Sequence, residues 1–335
     1  MKLTVNVPNA SYDIHMGHGL LSRLPEFVDL NRKVLVVTDD GVPPEYASEI
    51  MGLCPDGVWM TVEQGEQTKS LDTYRSLCSL LLDEGFSRKD CVIALGGGVM
   101  GDLVGFVAAT YMRGIDFINI PTTTLSQIDS SIGGKVAVNL DDVKNIVGAF
   151  YQPKCVIIDF DTLKTLPERH YNNGLVEAVK AGLIYDEELF RLFETQDPKE
   201  HIEEIIYRSL MVKKAVVEQD EKEQGLRKIL NFGHTVGHGV ETINGLSKLY
   251  HGECVAIGMF SMLESEELKE RLRAVCEKLH VPTHSSVDHN MLMNLIRKDK
   301  KAAGDRITVV KVGQVGHAHL EEITMDELEK QLEGF

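Results

Sequence analysis

The chain has 335 residues, 43% apolar and 26% charged, enough to bury one large core or two ordinary ones, and two domains are the expectation. Its formal net charge of −16, with an isoelectric point of about 5.2, argues against nucleic-acid and anionic-membrane partners, because either needs a basic face to displace counterions. An anionic ligand must therefore be met by Lys and Arg gathered locally.

The opening segment, "MKLTVNVPNASYDIHMGHGLL", has no long apolar stretch, and later uncharged runs are broken by Gly, Thr or Pro. Neither a signal peptide nor a transmembrane helix is expected, and a soluble, cytoplasmic protein is. Six cysteines (54, 78, 91, 155, 254 and 276) stand without any C-x-x-C pairing, which suits reduced thiols.

Short β-branched runs then alternate with helical patterns. "KVLVVTD" (33–39), "GVWMTV" (57–62), "CVIALGGG" (91–98) and "GIDFINIPTT" (114–123) read as strands. Between them, Leu71, Tyr74, Leu77 and Leu81 recur at helical spacing up to Gly85, a C-cap. Alternation of this kind predicts a parallel sheet covered by helices. After Thr165 strand signals nearly vanish, and amphipathic stretches follow at 174–194, 198–219, 226–243, 251–280 and 288–299. The expected organisation is an α/β domain over 1–164 and an all-helical domain over 165–335.

"GGGVMG" satisfies G-x-G-x-x-G with Gly96, Gly98 and Gly101, between a strand and an apolar helix (Leu103–Met112). Glycines there let backbone N–H groups approach a pyrophosphate at a helix N-terminus. Asp116 opens a strand rather than closing one, so the better partner for a ribose is Asp39, at the end of the first clear strand. A glycine turn that only packs helix on strand, and an Asp39 that is only a turn residue, remain open. "RGIDFINIPTTTLSQIDSSIGGKVAVN" (113–139) is dense in hydroxyls and contains Lys135 after a glycine pair. Singly these hydroxyls read as caps; together they read as an anion pocket.

Glu177 and Lys180 stand three apart in an otherwise apolar helix, either as an exposed ion pair or as a buried pair with a task. His234 and His238 lie one turn apart, each directly after a glycine, and His251 is again followed by glycine. Histidines and a glutamate drawn from separate helices match the nitrogen and oxygen ligands of a catalytic zinc site with an open position. Spacing leaves open which of His234 and His238 is the ligand.

Together these blocks resemble 3-dehydroquinate synthase, a sugar-phosphate cyclase family of the shikimate pathway. "GGGVMGDLVGFVAATYMRG", "PTTTLSQIDSSIGGK", "KNIVGAFYQPK", "LKTLPERH", "GLVEAVK", "GLRKILNFGHTVGH", "HGECVAIGM" and "DKK" occur in the family's order. The resemblance implies a dehydroquinate synthase-like fold, with an α/β nucleotide-binding domain, a helical domain, the active site between them, and a homodimer. It implies NAD held by Asp39, Glu66, Lys69, Gly97, Gly98, Val99, Asp102, Thr122, Thr123, Leu125, Lys144 and Thr165. It also implies a metal, zinc or cobalt, on Glu177, His234 and His251.

The implied substrate is a phosphorylated sugar acid, 3-deoxy-D-arabino-heptulosonate 7-phosphate. Lys213 and Arg227 would take its carboxylate. Lys135, Asn145, Asn231 and Lys300 or Lys301 would take its phosphate, with Arg113 of the partner subunit. Asp129, Lys180, Glu223 and His238 would contact the reacting hydroxyls. The implied sequence is oxidation of a ring alcohol by NAD, phosphate elimination, re-reduction, ring opening and aldol closure to 3-dehydroquinate.

Val143, Ala181 and Gly239 depart from the family pattern without removing an implied ligand, and 262–282 looks shorter than the family's segment. The rivals are another cyclase such as a 2-deoxy-scyllo-inosose synthase, a metal-dependent alcohol dehydrogenase of the glycerol dehydrogenase type, and a nucleotide-binding module without catalysis. Lys213, Arg227 and the intact "DSSIGGK" argue against the first, and the intact Glu177, His234 and His251 against the last.

Overall fold

A computed structural model describes residues 1–8, 10–141, 143–245, 248–299 and 305–333. The chain divides into two compact units, Met1–Pro167 and Glu168–Phe335. Thr165, the expected boundary, ends a 3-10 turn (Phe160–Thr165) that stays with the first unit.

The first unit contains β1 (Lys2–Val7), β2 (Ala10–Gly17), β3 (Lys33–Asp39), α1 (Pro44–Leu53), β4 (Asp56–Val62), α2 (Leu71–Asp83), β5 (Cys91–Gly96), α3 (Gly98–Thr110), β6 (Asp116–Pro121), β7 (Lys135–Leu140), β8 (Val143–Phe150) and β9 (Cys155–Asp159). Its main sheet has the order β1-β2-β9-β6-β5-β3-β4, parallel except for the β1–β2 pair. The four strands expected from the β-branched runs are β3, β4, β5 and β6, and Asp116 does open one of them. Strand β3 shows why the run reads as continuously apolar: Val34 and Val36 enter the core on one face, and Leu35 and Val37 enter the core on the other. Helices α2 and α3 cover the second face and α1 the first.

The hydroxyl-rich stretch, expected to form an anion pocket, ends in a strand. Its last residues form β7, which pairs antiparallel with β8 as a separate hairpin and buries Val136 and Val138 in the core that α3 covers.

The second unit contains α4 (Glu168–Ile184), α5 (Glu187–Thr195), α6 (Ile202–Gln219), α7 (His234–Asn244), α8 (His251–Met262), α9 (Glu266–Lys278), α10 (His289–Asp299), β10 (Arg306–Gln314), β11 (His317–Thr324) and α11 (Met325–Gln331). It is helical, as expected, but all-helical is too strong a description, because β10 and β11 form an antiparallel hairpin. The "TVVKVGQVGHAHLEEIT" stretch carries β-branched residues and turn glycines, and Ile307, Val309, Val310 and Val312 are buried; only the charge on β11 masks the signal. All six cysteines are free thiols. Among the described residues, no helix is long and apolar enough to cross a membrane.

Helix α4 is buried all round from Tyr171 to Ile184, as an apolar helix with few polar positions must be. Helices α7 and α8 cross at glycine. A Cβ at Gly258 would lie 2.0 Å from the Gly233 carbonyl oxygen and 2.8 Å from the Gly237 nitrogen, and backbone cannot yield as a side chain can. Gly258→Ala is expected to force α7 from α8 and cost about 1–3 kcal/mol or more, the usual range for overpacking. Calorimetry would register a lowered melting temperature, and an unchanged one would refute the close crossing.

Candidate active site

The glycine before each histidine has a geometric explanation. Gly233, the residue before α7, has φ +77°, and a Cβ there would also lie 2.7 Å from the Val255 carbonyl oxygen. Gly237, one turn on, faces Cys254 and Val255 just as closely. The glycines let α7 lie against α8, and the next residue in each case, His234 or His238, is turned to a neighbouring face.

Glu177 on α4, His234 on α7 and His251 on α8 converge, their ligand atoms all within 4.8 Å of one another. Nε2 of His234 lies 3.7 Å and Nε2 of His251 3.6 Å from the same oxygen, Oε1 of Glu177. Two ligands of a tetrahedral zinc, each about 2.0–2.1 Å from it, stand about 3.4 Å apart, so the spacing suits such an ion. The tautomers suit it too. Nδ1 of His234 lies 3.1 Å from the Phe232 carbonyl, which can only accept, and Nδ1 of His251 lies 3.3 Å from Oε2 of Glu241. Each Nε2 thereby faces the place of a cation, His251 once it gives up the proton that its two carboxylates favour.

Glu177 is 2% exposed, and neither of its carboxylate oxygens accepts a hydrogen bond of normal geometry, although Lys180 is ion-paired to it. Burial alone would push the Glu177 carboxyl up, but Lys180 and the two histidines hold it well below the usual carboxylate range. Burial and then Lys180 push His234 well below the ordinary imidazole range. Burial opposes a proton on His251 as well, yet Glu177 and Glu241 on its two nitrogens raise it to about 9. A divalent cation in place of the His251 proton would give the unbonded Oε1 a partner, and the donor set fits one.

The three helices are tied together at this point. Asn173 on α4 accepts the N–H groups of Gly252 and Glu253 at 2.7 and 3.3 Å, and Arg169 pairs in bidentate fashion with Glu253 at 2.7 and 2.8 Å. Glu253 in turn accepts the Tyr250 N–H in a capping box, so the first turn of α8, and His251 with it, is fixed to α4.

Elsewhere in the second unit, Lys213 on α6 and Arg227 are buried, and Arg227 also donates to the Glu221 carbonyl. Asp220 closes the 220–227 loop by accepting the N–H groups of Gln224, Gly225 and Arg227. Asn231 donates to Glu223, which has a left-handed backbone, φ +59°. His238 is exposed, with its ring centroid 5.1 Å from that of His234 and 5.9 Å from that of His251. Lys300 and Lys301 lie outside the described residues.

In the first unit, Gly97, Gly98 and Val99 open α3 at the carboxyl end of β5. A Cβ on Gly97 would lie 3.3 Å from Thr123, and the Thr122 N–H donates to the Gly96 carbonyl at 2.9 Å. Leu125 leads into a single π-helical turn, Ser126–Ser130, that carries Asp129 and comes within 3.0 Å of where a Gly98 Cβ would be. Asp39 ends β3 beside Gly96; burial pushes its carboxyl up, against the N–H of Gly41. Lys69 is buried, 2.8 Å from Asp102 and 3.4 Å from Glu66; burial disfavours its charge, but these two carboxylates raise its pKa. Lys135, Lys144 and Asn145 are exposed on the β7–β8 hairpin. Thr165 is bonded to Tyr46 of α1 at 2.9 Å, and Arg113 is exposed in a turn after α3.

Glu241 was not anticipated, although His234, His238 and Glu241 stand at i, i+4 and i+7 on one helix. Asp220, Arg169 and Asn173 were missed too, because they act through backbone and partner groups that spacing does not reveal.

An α/β nucleotide-binding sheet and a helical unit with a His-His-Glu cluster define the architecture of the sugar-phosphate cyclases. The structure superposes on 2-deoxy-scyllo-inosose synthase complexed with carbaglucose-6-phosphate, NAD+ and Co2+ (TM-score 0.88, 24% identity, 98% of each chain). It superposes equally on a 2-epi-5-epi-valiolone synthase from Streptomyces hygroscopicus subsp. jinggangensis 5008 with NAD+ and Zn2+ bound (TM-score 0.88, 26% identity, 98% of each chain). A probable glycerol dehydrogenase from Sinorhizobium meliloti 1021 is less similar (TM-score 0.65, 15% identity, 96% of this chain and 95% of that one).

Sequence narrows the class. Residues 59–173 match the family described as 3-dehydroquinate synthase N-terminal, and residues 174–302 its C-terminal counterpart. The 3-dehydroquinate synthases of Streptococcus suis (strain 05ZYH33) and Streptococcus mutans serotype c are both 42% identical, the first over 98% of each chain and the second over 99% of this chain and all of its own. The chain belongs to the 3-dehydroquinate synthase family, phosphate-eliminating carbon–oxygen lyases that form 3-dehydroquinate in the shikimate pathway of aromatic amino-acid synthesis.

Glu241→Ala is expected to weaken zinc binding by about 10- to 100-fold, the usual effect of losing an outer carboxylate on a ligating histidine, with Glu241→Gln in between. Competition against a coloured chelator measures it. Equal affinity in all three proteins would exclude an orienting role.

Proposed function

We propose that the chain performs its family's reaction, from 3-deoxy-D-arabino-heptulosonate 7-phosphate to 3-dehydroquinate and phosphate, with a metal on Glu177, His234 and His251 and NAD on residues of the first unit. The observation that carries this reading is the buried Glu177 carboxylate, without a hydrogen bond and faced by two Nε2 atoms whose partner Nδ1 atoms are engaged. NAD with zinc or cobalt in the two cyclases of like architecture supports the same cofactors here. Asp39, Glu66, Lys69, Gly97, Gly98, Val99, Asp102, Thr122, Thr123, Leu125, Lys144 and Thr165 hold the dinucleotide. When bound, zinc polarises a ring alcohol of the substrate and NAD takes up and later returns its hydride.

The chain's own residues bind and orient the substrate. Lys213 and Arg227 take the carboxylate; both are buried, where a charge-assisted bond is strong, and the planar guanidinium suits two carboxylate oxygens. Lys135, Asn145, Asn231 and Lys300 or Lys301 take the phosphate, together with Arg113 of the partner subunit in a homodimer. The exposure of Arg113 and its left-handed backbone, φ +67°, support that last assignment. Asp129, Lys180, Glu223 and His238 contact the hydroxyls that gain and lose protons, and the exposure of His238 suits exchange with water. The acidic surface and the absence of a membrane-spanning helix among the described residues support a cytoplasmic enzyme without nucleic-acid or membrane partners.

The test is phosphate release from the heptulosonate phosphate by zinc-loaded protein, with NAD far below substrate and NADH absorbance followed alongside. Many phosphates per NAD without lasting NADH are expected. NADH rising in step with substrate loss would instead mark a dehydrogenase, and no phosphate would point to a different cyclase substrate. Arg227→Ala is expected to raise KM for substrate by about 100-fold, as loss of a buried charge-assisted pair does, with NAD affinity unchanged. Titration calorimetry with NAD checks the second half, and parallel loss of both would refute the carboxylate role.

A further inference from the structure

Strands β7 and β8 pair residue for residue from Lys135↔Phe150 to Val138↔Val147 and resume at Leu140↔Val143, so Asn139 alone stands opposite residues 144 to 146. Within that bulge Asn145 has a left-handed backbone, φ +56°, a conformation that persists only where the surroundings hold it. Bulges re-aim the side chains they carry. Here the side chains are Lys144 and Asn145.

Asn139 holds the bulge from three sides. Its Oδ1 accepts the Asn145 N–H at 2.9 Å, its Nδ2 donates to Oε1 of Glu66 at 2.8 Å, and its own N–H donates to the Lys69 carbonyl at 2.8 Å. Glu66 faces Lys69, and Lys69 is bonded to Asp102 in the second turn of α3. One amide side chain therefore links the Glu66–Lys69 turn to the direction in which Lys144 and Asn145 point.

We propose that Asn139 is a positioning residue that couples the nucleotide-binding turn to the phosphate-binding bulge. The inference rests on the reading above, which puts Glu66, Lys69, Asp102 and Lys144 on NAD and Asn145 on the substrate phosphate. Its chemistry requires both functions of an amide. The oxygen must accept from Asn145 while the nitrogen donates to the Glu66 carboxylate, which an aspartate at this position cannot do.

Two variants separate the links. Asn139→Ala loses both, and is expected to raise the NAD dissociation constant and the KM for the heptulosonate phosphate each by about tenfold, the effect of losing a hydrogen bond to a charged or strained group. Asn139→Asp keeps the acceptor for Asn145 but sets a carboxylate against Glu66. It is expected to weaken NAD by about tenfold while KM stays within about twofold of the wild-type value. Titration calorimetry with NAD and steady-state phosphate release on the full zinc-loaded chain give the two constants. If Asn139→Ala lowers only the melting temperature, or Asn139→Asp moves both constants together, the coupling role is overturned. If Asn139→Ala does not fold, the split between the constants in Asn139→Asp decides alone. Wild-type protein that binds no NAD or releases no phosphate would overturn the functional reading itself, whereas an active wild type with indifferent variants overturns only the inference.

Discussion

A carboxylate buried to 2% exposure without a hydrogen bond needs compensating charge, and the arrangement of the second unit follows from supplying it to Glu177. Lys180 comes from the next turn of the same helix, which sequence spacing guarantees. The histidines come from other helices and have to be brought there. Glycines 233, 237 and 258 let α7 and α8 approach to backbone contact, and Arg169 and Asn173 fasten the start of α8 to α4. Three helices that could pack in many ways are thus held in the one way that sets two imidazoles against one carboxylate. Replacing such a cluster by apolar groups would be no worse for stability, so its polar character is explained by a ligand rather than by folding.

The same logic recurs in the first unit with the signs exchanged. Lys69 is the buried charge there, and Asp102 and Glu66 are the groups that hold it. This triad joins the turn after β4 to the start of α3, where the glycine turn presents its N–H groups. A helix start alone attracts a phosphate weakly; with a fixed ammonium beside it the attraction is directional. Strands β3, β5 and β6 bring Asp39, Gly97 and Thr123 to one side of the sheet because parallel neighbours have their carboxyl ends together.

The elements that were read from the sequence have uniform or strictly periodic burial, although β1, β2 and β9, whose burial is as regular, were not among them. Strand β3 is buried on both faces and reads as an unbroken apolar run, and α2 repeats its leucines until Gly85. Hairpin β7–β8 was missed because β8 is largely exposed, and its strand pattern is interrupted by the bulge at Asn139. Hairpin β10–β11 was missed because the outer strand carries two histidines and two glutamates on solvated positions. For the site, the residues proposed to touch a ligand stand in recognisable blocks, whereas the residues that hold them do not. Glu66 and Asn139 are 73 positions apart, and Arg169 and Glu253 are 84 apart, so only the folded chain makes them neighbours.

An acidic chain that takes a substrate with both a phosphate and a carboxylate has to overcome its own field. Its net charge of −16 repels the ligand at distances beyond about 8–10 Å only weakly at physiological salt, because counterions screen it. In the proposed carboxylate site the balance is local: Lys213 and Arg227 are buried, where water and salt screen them least. A buried charge is costly to leave unpaired, and Arg227 already donates to the Glu221 backbone carbonyl. A cation already held by the fold does not have to reorganise when an anion binds, so a few such cations would suffice even in a protein with 51 acidic residues.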